Sequence, residues 1–397
     1  MTPLAVTSLT LTSSLGTGLR PHVDALLNLR SGLTPCNFET ARLDTWVGQI
    51  PDEQLAPVRG RLASFDCRNN RLAQLGLTGD GFGEAVTGAR ARYGARRIGV
   101  ILGTSTSGIL QTEIAYRFRD PATGALPSDF NYAGTQNTFS LGAFVQAQLG
   151  LEGPASVVST ACSSSAKAFG AGARMIAAGL CDAAIVGGVD SLCLTTLYGF
   201  SSLELLSREP CRPFDVERSG ISIGEGAGFA LLEPASANNP KGAIQLLGVG
   251  ESSDGYHMSS PHPEGAGARL AMERALTAAG LAPGDIDYIN LHGTGTRSND
   301  SAEEKAVFSV FGGSTPCSST KGMTGHLLGA AGIAEAIICA LALDEQFMPG
   351  SANTRALDPG LRIRYLRDTV RQPPLHVVSN SFGFGGSNCT LVLGRTQ

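Results

Sequence analysis

Three residues of this 397-residue chain combine reactive side chains with neighbours that are glycine or otherwise small. Cys162 lies in VSTACSSSA, His292 in DYINLHGTGT and His326 in SSTKGMTGHLLGAAG. Cys162 follows a short apolar run, Val157-Val158, and precedes a small-residue helix expected from about Ser163 to Ala178. At such a junction a thiol faces unpaired N–H groups and the positive end of the helix dipole. That setting favours the thiolate, the form that attacks a carbonyl carbon. Ser163, Ser164, Ser165 and Ala166 keep bulk away from the sulfur, so an acyl chain could reach it. Taken alone, Cys162 reads as well as a small core cysteine, and each histidine as a satisfied structural one.

The elements that would position these residues alternate between strands and helices. A strand at Ile286–Leu291 delivers His292 into Gly293-Thr294-Gly295-Thr296, and a strand-end loop, Ser318–Gly325, carries Lys321. His326 opens the helix HLLGAAGIAEAIICALAL. Further strands are expected at Leu4–Leu11, Arg97–Gly103, Cys181–Val189, residues 220–234, Ala243–Gly250, Leu375–Ser379 and Cys389–Leu393. The last two flank a glycine loop, SFGFGG, at Ser381–Gly386. Further helices are expected at Val23–Leu29, Asn137–Leu149, Gly267–Ala279 and Asp300–Val310, with loops at Arg117–Tyr132, Leu203–Arg218 and Ser252–Gly265. The segment Ser31–Gly76 reads as irregular and locally basic. Glycines alternating with strand formers in GISIGEGAGFALLEP predict a strand packed against another backbone. Asn238–Lys241 reads as a linker. On both sides of it a reactive residue at a strand–helix junction precedes a small-residue helix, a weak repeat that predicts two similar α/β halves, 1–241 and 242–397. Sites in such folds gather at strand ends, so the three residues are expected to meet in one crevice.

Composition narrows the function classes. A net charge of −4 gives no footprint for nucleic acid. Nine cysteines without CxxC or Cys/His ligand spacing predict neither a zinc site nor a disulfide framework. No apolar run approaches the ~20 residues of a membrane span. The N-terminal residues lack signal-peptide character. The reading is a reduced, cytoplasmic protein with no metal.

Together with CRPFD…GEGAG and SNSFGFGGSN, the runs around Cys162, His292 and His326 resemble the β-ketoacyl-acyl carrier protein synthases, the elongating condensing enzymes of fatty acid and polyketide synthesis. The resemblance runs from Ala5 to Leu393. It implies the thiolase-like, five-layered αβαβα fold of two related halves. It implies a homodimer, or a heterodimer with a homologous subunit, and acyl carrier protein as partner. No cofactor is implied beyond the carrier's phosphopantetheine, which bears the substrates. Cys162 would accept the acyl chain as a thioester. The N–H groups of Cys162 and Phe384 would form an oxyanion hole. His292 and His326 would stabilise the enolate left when malonyl-carrier protein loses carbon dioxide. Lys321 would anchor the histidines, with Asp300 and Glu303 as acidic partners. Thr294 and Thr296 would contact pantetheine, Phe384 would gate the acyl pocket, and Thr106 would line its far end. Arg208, with Arg59 and Arg61, would dock the carrier protein.

The chain departs from the family pattern at Arg218-Ser219-Gly220-Ile221, where Arg-Asp-Gly-Phe is usual; Ile221 then stands where a phenylalanine shapes the malonyl site. The wording TACSSS is closer to polyketide-type synthases, which points to a stand-alone enzyme of a secondary lipid, polyene or polyketide pathway. Two alternatives are a non-catalytic chain-length-factor-like subunit and a thiolase acting on coenzyme A esters. Retention of Cys162 and both histidines opposes the first; the lack of a cysteine in SFGFGGSN opposes the second.

Overall fold

The structure, a computed structural model, describes residues 1–236 and 240–396. Ten strands carry the architecture. In the first half they are β1 (Leu4–Ser13), β2 (Ile98–Gly103), β3 (Ala155–Val158), β4 (Ala183–Asp190) and β5 (Gly226–Pro234). In the second they are β6 (Ile244–Ser253), β7 (Tyr288–Asn290), β8 (Pro316–Ser318), β9 (His376–Gly383) and β10 (Ser387–Arg395). The first sheet runs β3-β2-β4-β5-β1 and the second β8-β7-β9-β10-β6. In each, the first three strands are parallel and the last two antiparallel. Strand order, chain order and direction therefore repeat between the halves. The sheets join where β1 meets β6, through Leu4 opposite Leu246 and Ala5 opposite Gln245.

Helices cover and separate the sheets. They are α1 (Leu19–Leu27), α2 (Arg68–Leu77), α3 (Phe82–Tyr93), α4 (Ile109–Arg117), α5 (Phe139–Leu149), α6 (Ser164–Ala177), α7 (Leu194–Ser202), α8 (Ala266–Ala279), α9 (Arg297–Phe311) and α10 (Ala331–Asp344). The outer face of the first sheet carries α2, α3 and α5, around Leu72, Phe82, Val100 and Phe144. The outer face of the second carries α8 and α9, around Met272, Ile289 and Val307. Between the sheets lie α6 and α10. These are the five layers that the family resemblance implies.

The central position explains the composition of both helices. Every residue from Ala331 to Leu343 is buried, and a helix enclosed on all sides must be apolar all round. Small residues let the two helices touch. A Cβ on Gly332 would lie 2.6 Å from the amide nitrogen of Ala166, and one on Gly103, at the end of β2, would lie 2.3 Å from that of Ser165, so α6 also sits close on its sheet. The helices therefore cross close to their N-termini, which brings Cys162 and His326 together. The repeat places these two residues equivalently, each after the third strand of its half and before a central helix.

Several sequence expectations change. Val157 and Val158 lie on an edge strand that is only half-buried, because the first sheet ends at β3. The first helix starts at Leu19, about one turn earlier than its apolar residues suggest. Helices α2, α3 and α7 are absent from the sequence reading. The buried face of α2 includes Asn69 and Asn70 beside Leu72 and Leu77, and α3 buries only Phe82, Val86 and Ala89, so the apolar stripe of each is thin. Segment 220–234 divides in two: Ile223–Gly224 pairs with Trp46–Gly48 in a small separate sheet, and β5 follows. The expected close approach is present there, since a Cβ on Gly224 would lie 2.4 Å from the carbonyl oxygen of Thr324. Of the expected linker, Asn238 and Asn239 lie outside the described residues.

Candidate active site

Cys162 sits between β3 and α6, two residues before the helix begins. The residue before it, Ala161, has φ 52°, a left-handed conformation that a residue with a Cβ adopts only where its surroundings enforce it. His326 is held by backbone pairing: its N–H donates to Ser222 at 2.7 Å and its carbonyl accepts from Gly224 at 2.9 Å. Its Nε2 lies 3.0 Å from the sulfur of Cys162. His292 follows β7, and its ring stands edge-on to that of His326 with centroids 5.3 Å apart. All three residues are buried.

The electrostatics fix the resting state. Burial pushes the Cys162 thiol up to about 11, against the pull of the Lys321 charge and of the Phe384 N–H. The expected standing thiolate is therefore corrected: loss of water outweighs the favourable helix end. Burial, reinforced by the Lys321 charge, holds both imidazoles well below their usual range, so they are neutral. Lys321 Nζ approaches Nδ1 of His292 at 3.3 Å and its carbonyl oxygen at 2.5 Å. An ammonium only donates, so Nδ1 is the acceptor and Nε2 carries the proton. Among the described residues, Nδ1 of His326 has no hydrogen-bond partner. A bare acceptor costs less there than a bare donor, which places the His326 proton also on Nε2. Each imidazole thus carries its proton on Nε2, and that of His326 faces the sulfur.

Behind Lys321 lies Glu335, a buried carboxylate on α10 that accepts from Nζ. Burial pushes it up to about 7, and the lysine pulls the other way. Glu303 accepts from the N–H groups of His292 and Gly293, each at 2.7 Å, and so fixes the end of β7. Asp300 accepts from Gly295 at 3.2 Å and Phe214 at 2.9 Å, holding the next turn of the same loop. Both carboxylates support the 292–296 loop; neither is hydrogen-bonded to His326. The Cys162 sulfur and one nitrogen of each histidine lie within 4.8 Å of one another, the donor set of a soft metal site. The ammonium beside His292 opposes a cation there.

A cavity opens over these groups. Its walls include Phe200, Ile221, Thr294, Thr296, Phe382 and Phe384. Ile221 is thus part of the cavity wall. The hydroxyls of Thr294 and Thr296 lie 3.0 Å apart, and that of Thr296 also caps α9. The ring of Phe384 packs on Phe200, with centroids 5.5 Å apart, and is followed by two left-handed glycines, Gly385 and Gly386.

Two sets of expected residues lie outside the walls of this cavity. Thr106 does not line the cavity; its hydroxyl donates to the buried Asp190 at 2.9 Å. Arg59 and Arg61 lie beside α5 on the outer layer, away from the cavity mouth, and Arg61 donates to the carbonyl of Ala147 at 2.8 Å. Arg208 is exposed on the loop that supplies Leu205 to the cavity wall. The sequence reading omits Glu335, Phe200 and Asp190. A lone carboxylate within GAAGIAEAIICALAL was a signal for the first; nothing local marks the others.

Residues 82–238 match the family "Beta-ketoacyl synthase, N-terminal domain" and residues 244–355 "Beta-ketoacyl synthase, C-terminal domain". The chain is 37% identical over 313 residues to 3-oxoacyl-[acyl-carrier-protein] synthase 2 of Rhizobium meliloti, covering 75% of this chain and 74% of that one. It is 40% identical over 266 residues to the mitochondrial 3-oxoacyl-[acyl-carrier-protein] synthase of Arabidopsis thaliana, covering 62% of this chain but 58% of that protein's length. Among solved structures, a ketosynthase in complex with its chain length factor from Xenorhabdus doucetiae superposes with a TM-score of 0.91 at 38% identity, covering 100% of this chain and 98% of that one. Matched in both halves through the segments that carry Cys162, His292 and His326, the chain belongs to the β-ketoacyl synthase family.

Proposed function

We propose that this chain is a β-ketoacyl-acyl carrier protein synthase that lengthens an acyl chain by decarboxylative condensation with malonyl-carrier protein. The observation that carries the reading is the pair of neutral imidazoles beside a buried thiol, with His326 Nε2 3.0 Å from the Cys162 sulfur. In the first half-reaction the sulfur of Cys162 bonds to the acyl carbonyl carbon, and the carbon–sulfur bond to pantetheine breaks. The Cys162 proton leaves with the pantetheine thiol, so no standing thiolate is needed. The N–H of Phe384, which already points at the sulfur, and that of Cys162 would hold the tetrahedral oxyanion. In the second half-reaction the malonyl carboxylate leaves as carbon dioxide. Its bonding electrons pass to the enolate, whose oxygen would accept from Nε2–H of His292 and of His326. The enolate carbon then attacks the acyl-Cys162 thioester, and the Cys162 sulfur leaves and regains a proton.

This sequence uses no cofactor beyond pantetheine. The names of the relatives support a carrier-protein substrate, and Arg208 supplies an exposed cation beside the entrance. We assign the halves to 1–241 and 242–397, which the two family matches support by meeting between 238 and 244. A second ketosynthase-fold subunit, identical or homologous, is part of the proposal. The half-buried edge strand β3 and the exposed Tyr116, Phe118 and Tyr132 support it, as does the chain length factor partner of the Xenorhabdus relative. Among the described residues no helix is long and apolar enough to cross a membrane. We place the enzyme in the cytoplasm.

Incubation with acyl-carrier protein, followed by mass spectrometry of the peptide carrying Cys162, tests the reading. The expected adduct is a thioester that malonyl-carrier protein then discharges with release of carbon dioxide. An enzyme that neither forms the adduct nor releases carbon dioxide is not a condensing enzyme.

A further inference from the structure

Asp190 ends β4 and is fully buried, yet among the described residues no cation pairs with it. Six donors converge on its two oxygens. Oδ1 accepts from the hydroxyls of Thr104 at 2.6 Å and Thr106 at 2.9 Å, and from the N–H groups of Ser105 at 2.8 Å and Thr106 at 2.9 Å. Oδ2 accepts from the hydroxyl of Ser105 and from the N–H of Gly329 at 2.5 Å. Five of these donations come from one turn of the first half. The sixth comes from the second half, three residues after His326. That contact spans 139 positions of sequence.

Gly329 leaves no room for error. A Cβ there would lie 2.7 Å from both Asp190 Oδ2 and the N–H of Ser105. The residue before it, Leu328, has φ 51°. A leucine holds this left-handed geometry only where its surroundings compel it. Upstream, His326 is held by pairing with Ser222 and Gly224; downstream, the chain between it and Gly329 passes through this strained residue. A buried carboxylate with every partner satisfied is a strong and directional anchor.

We propose that Asp190 is a positioning residue for the condensation: by binding Gly329 it fixes the strained turn after His326, and so aims His326 Nε2 at the Cys162 sulfur. The inference deepens the functional reading above and rests on it for its kinetic part. Asp190 touches no reacting atom. Its charge nonetheless reaches Cys162, raising the thiol together with Glu335 and against Lys321, while the two facing histidines are neutral.

The test compares Asp190→Asn with Ser105→Ala. Asparagine presents an amide N–H₂ to a ring of donors, and the Gly329 contact is lost. Condensation kcat is expected to fall by roughly 10²-fold, the cost of an ångström-scale misplacement, with KM for malonyl-carrier protein little changed. In Asp190→Asn the pH midpoint of Cys162 alkylation by iodoacetamide should move down, because a negative charge is gone, while the plateau rate and Tm stay as in wild type. Ser105→Ala keeps the charge but removes the hydroxyl that donates to Oδ2 and that the Gly329 N–H also meets at 3.3 Å, so its kcat should fall at an unchanged midpoint. A folded Asp190→Asn enzyme with wild-type kcat overturns the proposal, as does a kcat loss that only follows a lowered Tm. Should Asp190→Asn not fold, Ser105→Ala decides: wild-type kcat refutes, and reduced kcat at unchanged Tm supports. The alkylation midpoints need no carrier substrate, so they report on Asp190 even if the functional reading fails.

Discussion

Nζ of Lys321 lies 3.3 Å from Nδ1 of His292 and, on its other side, is paired with the carboxylate of Glu335 on the central helix α10. One buried cation therefore sets the tautomer of a site histidine and neutralises a carboxylate that burial would otherwise protonate. Stability and catalysis are separable here. Lys321→Met leaves Glu335 buried without its partner, a break that costs about 3–5 kcal/mol in comparable pairs. Adding Glu335→Leu removes the orphaned charge, so the double variant should regain most of the denaturation midpoint. Malonyl decarboxylation should stay low in both, because His292 has lost the donor that fixes its proton on Nε2. Recovery of decarboxylation along with stability would show that Lys321 serves the fold alone.

The roles of the thiol and the imidazoles separate as well. Cys162→Gln should abolish acyl transfer and condensation and leave malonyl decarboxylation intact or raised, since both Nε2 donors remain. His292→Ala and His326→Ala should each cut decarboxylation by roughly 10²-fold or more, as loss of one oxyanion donor does elsewhere. Carbon dioxide release from malonyl-carrier protein without an acyl donor measures this directly. Condensation by Cys162→Ala would end the reading of Cys162 as nucleophile.

The neutral thiol has a signature in pH. A group held at about 11 is almost wholly protonated at neutral pH, and its thiolate fraction grows about tenfold for each unit that the pH rises towards that value. Alkylation of Cys162 in the resting enzyme should therefore climb from pH 7 to pH 9 without levelling. In Lys321→Met the climb should shift to still higher pH, because the one charge that favours the thiolate is gone. A rate that is already flat at pH 7 would mean a standing thiolate, and the acyl transfer step would have to be rewritten.

Much of this site is legible in the sequence, and the reason is local. Cys162, His292 and His326 stand at strand ends, where glycine and small residues are dictated by close backbone approach, so pattern and position coincide. The alternation of buried strands such as Ile98–Gly103 with helices gives two α/β halves, and the five layers come from the family resemblance. What escaped is what depends on distant contacts. Asp190 looks like any strand-ending aspartate until Gly329 arrives from the other half. The family resemblance alone puts Thr106 at the far end of an acyl pocket, and nothing in the sequence shows that its hydroxyl is committed to that same carboxylate. The thiolate expectation failed for a similar reason: a helix terminus is visible in the sequence, whereas full burial of the sulfur is not.

The last prediction concerns the carrier protein. Carrier proteins are acidic, and a chain of net charge −4 must dock them on a local basic surface. Arg208 is exposed on the loop that borders the cavity, whereas Arg59 lies on the outer layer over α5, which packs on the edge strand β3. If Arg59 contributes, it does so from a neighbouring subunit paired along that edge. Arg208→Glu should weaken carrier binding by about 0.2–1 kcal/mol, mostly through a slower association rate, and flatten its salt dependence. Arg59→Glu should act only where the enzyme is oligomeric, and mixed dimers carrying the two changes on different subunits should show which sites they serve. Turnover of a small pantetheine thioester needs no docking and should be unaffected by either change. Equal losses with the small thioester and the carrier-bound substrate would place the arginines in the support of the fold rather than at the partner.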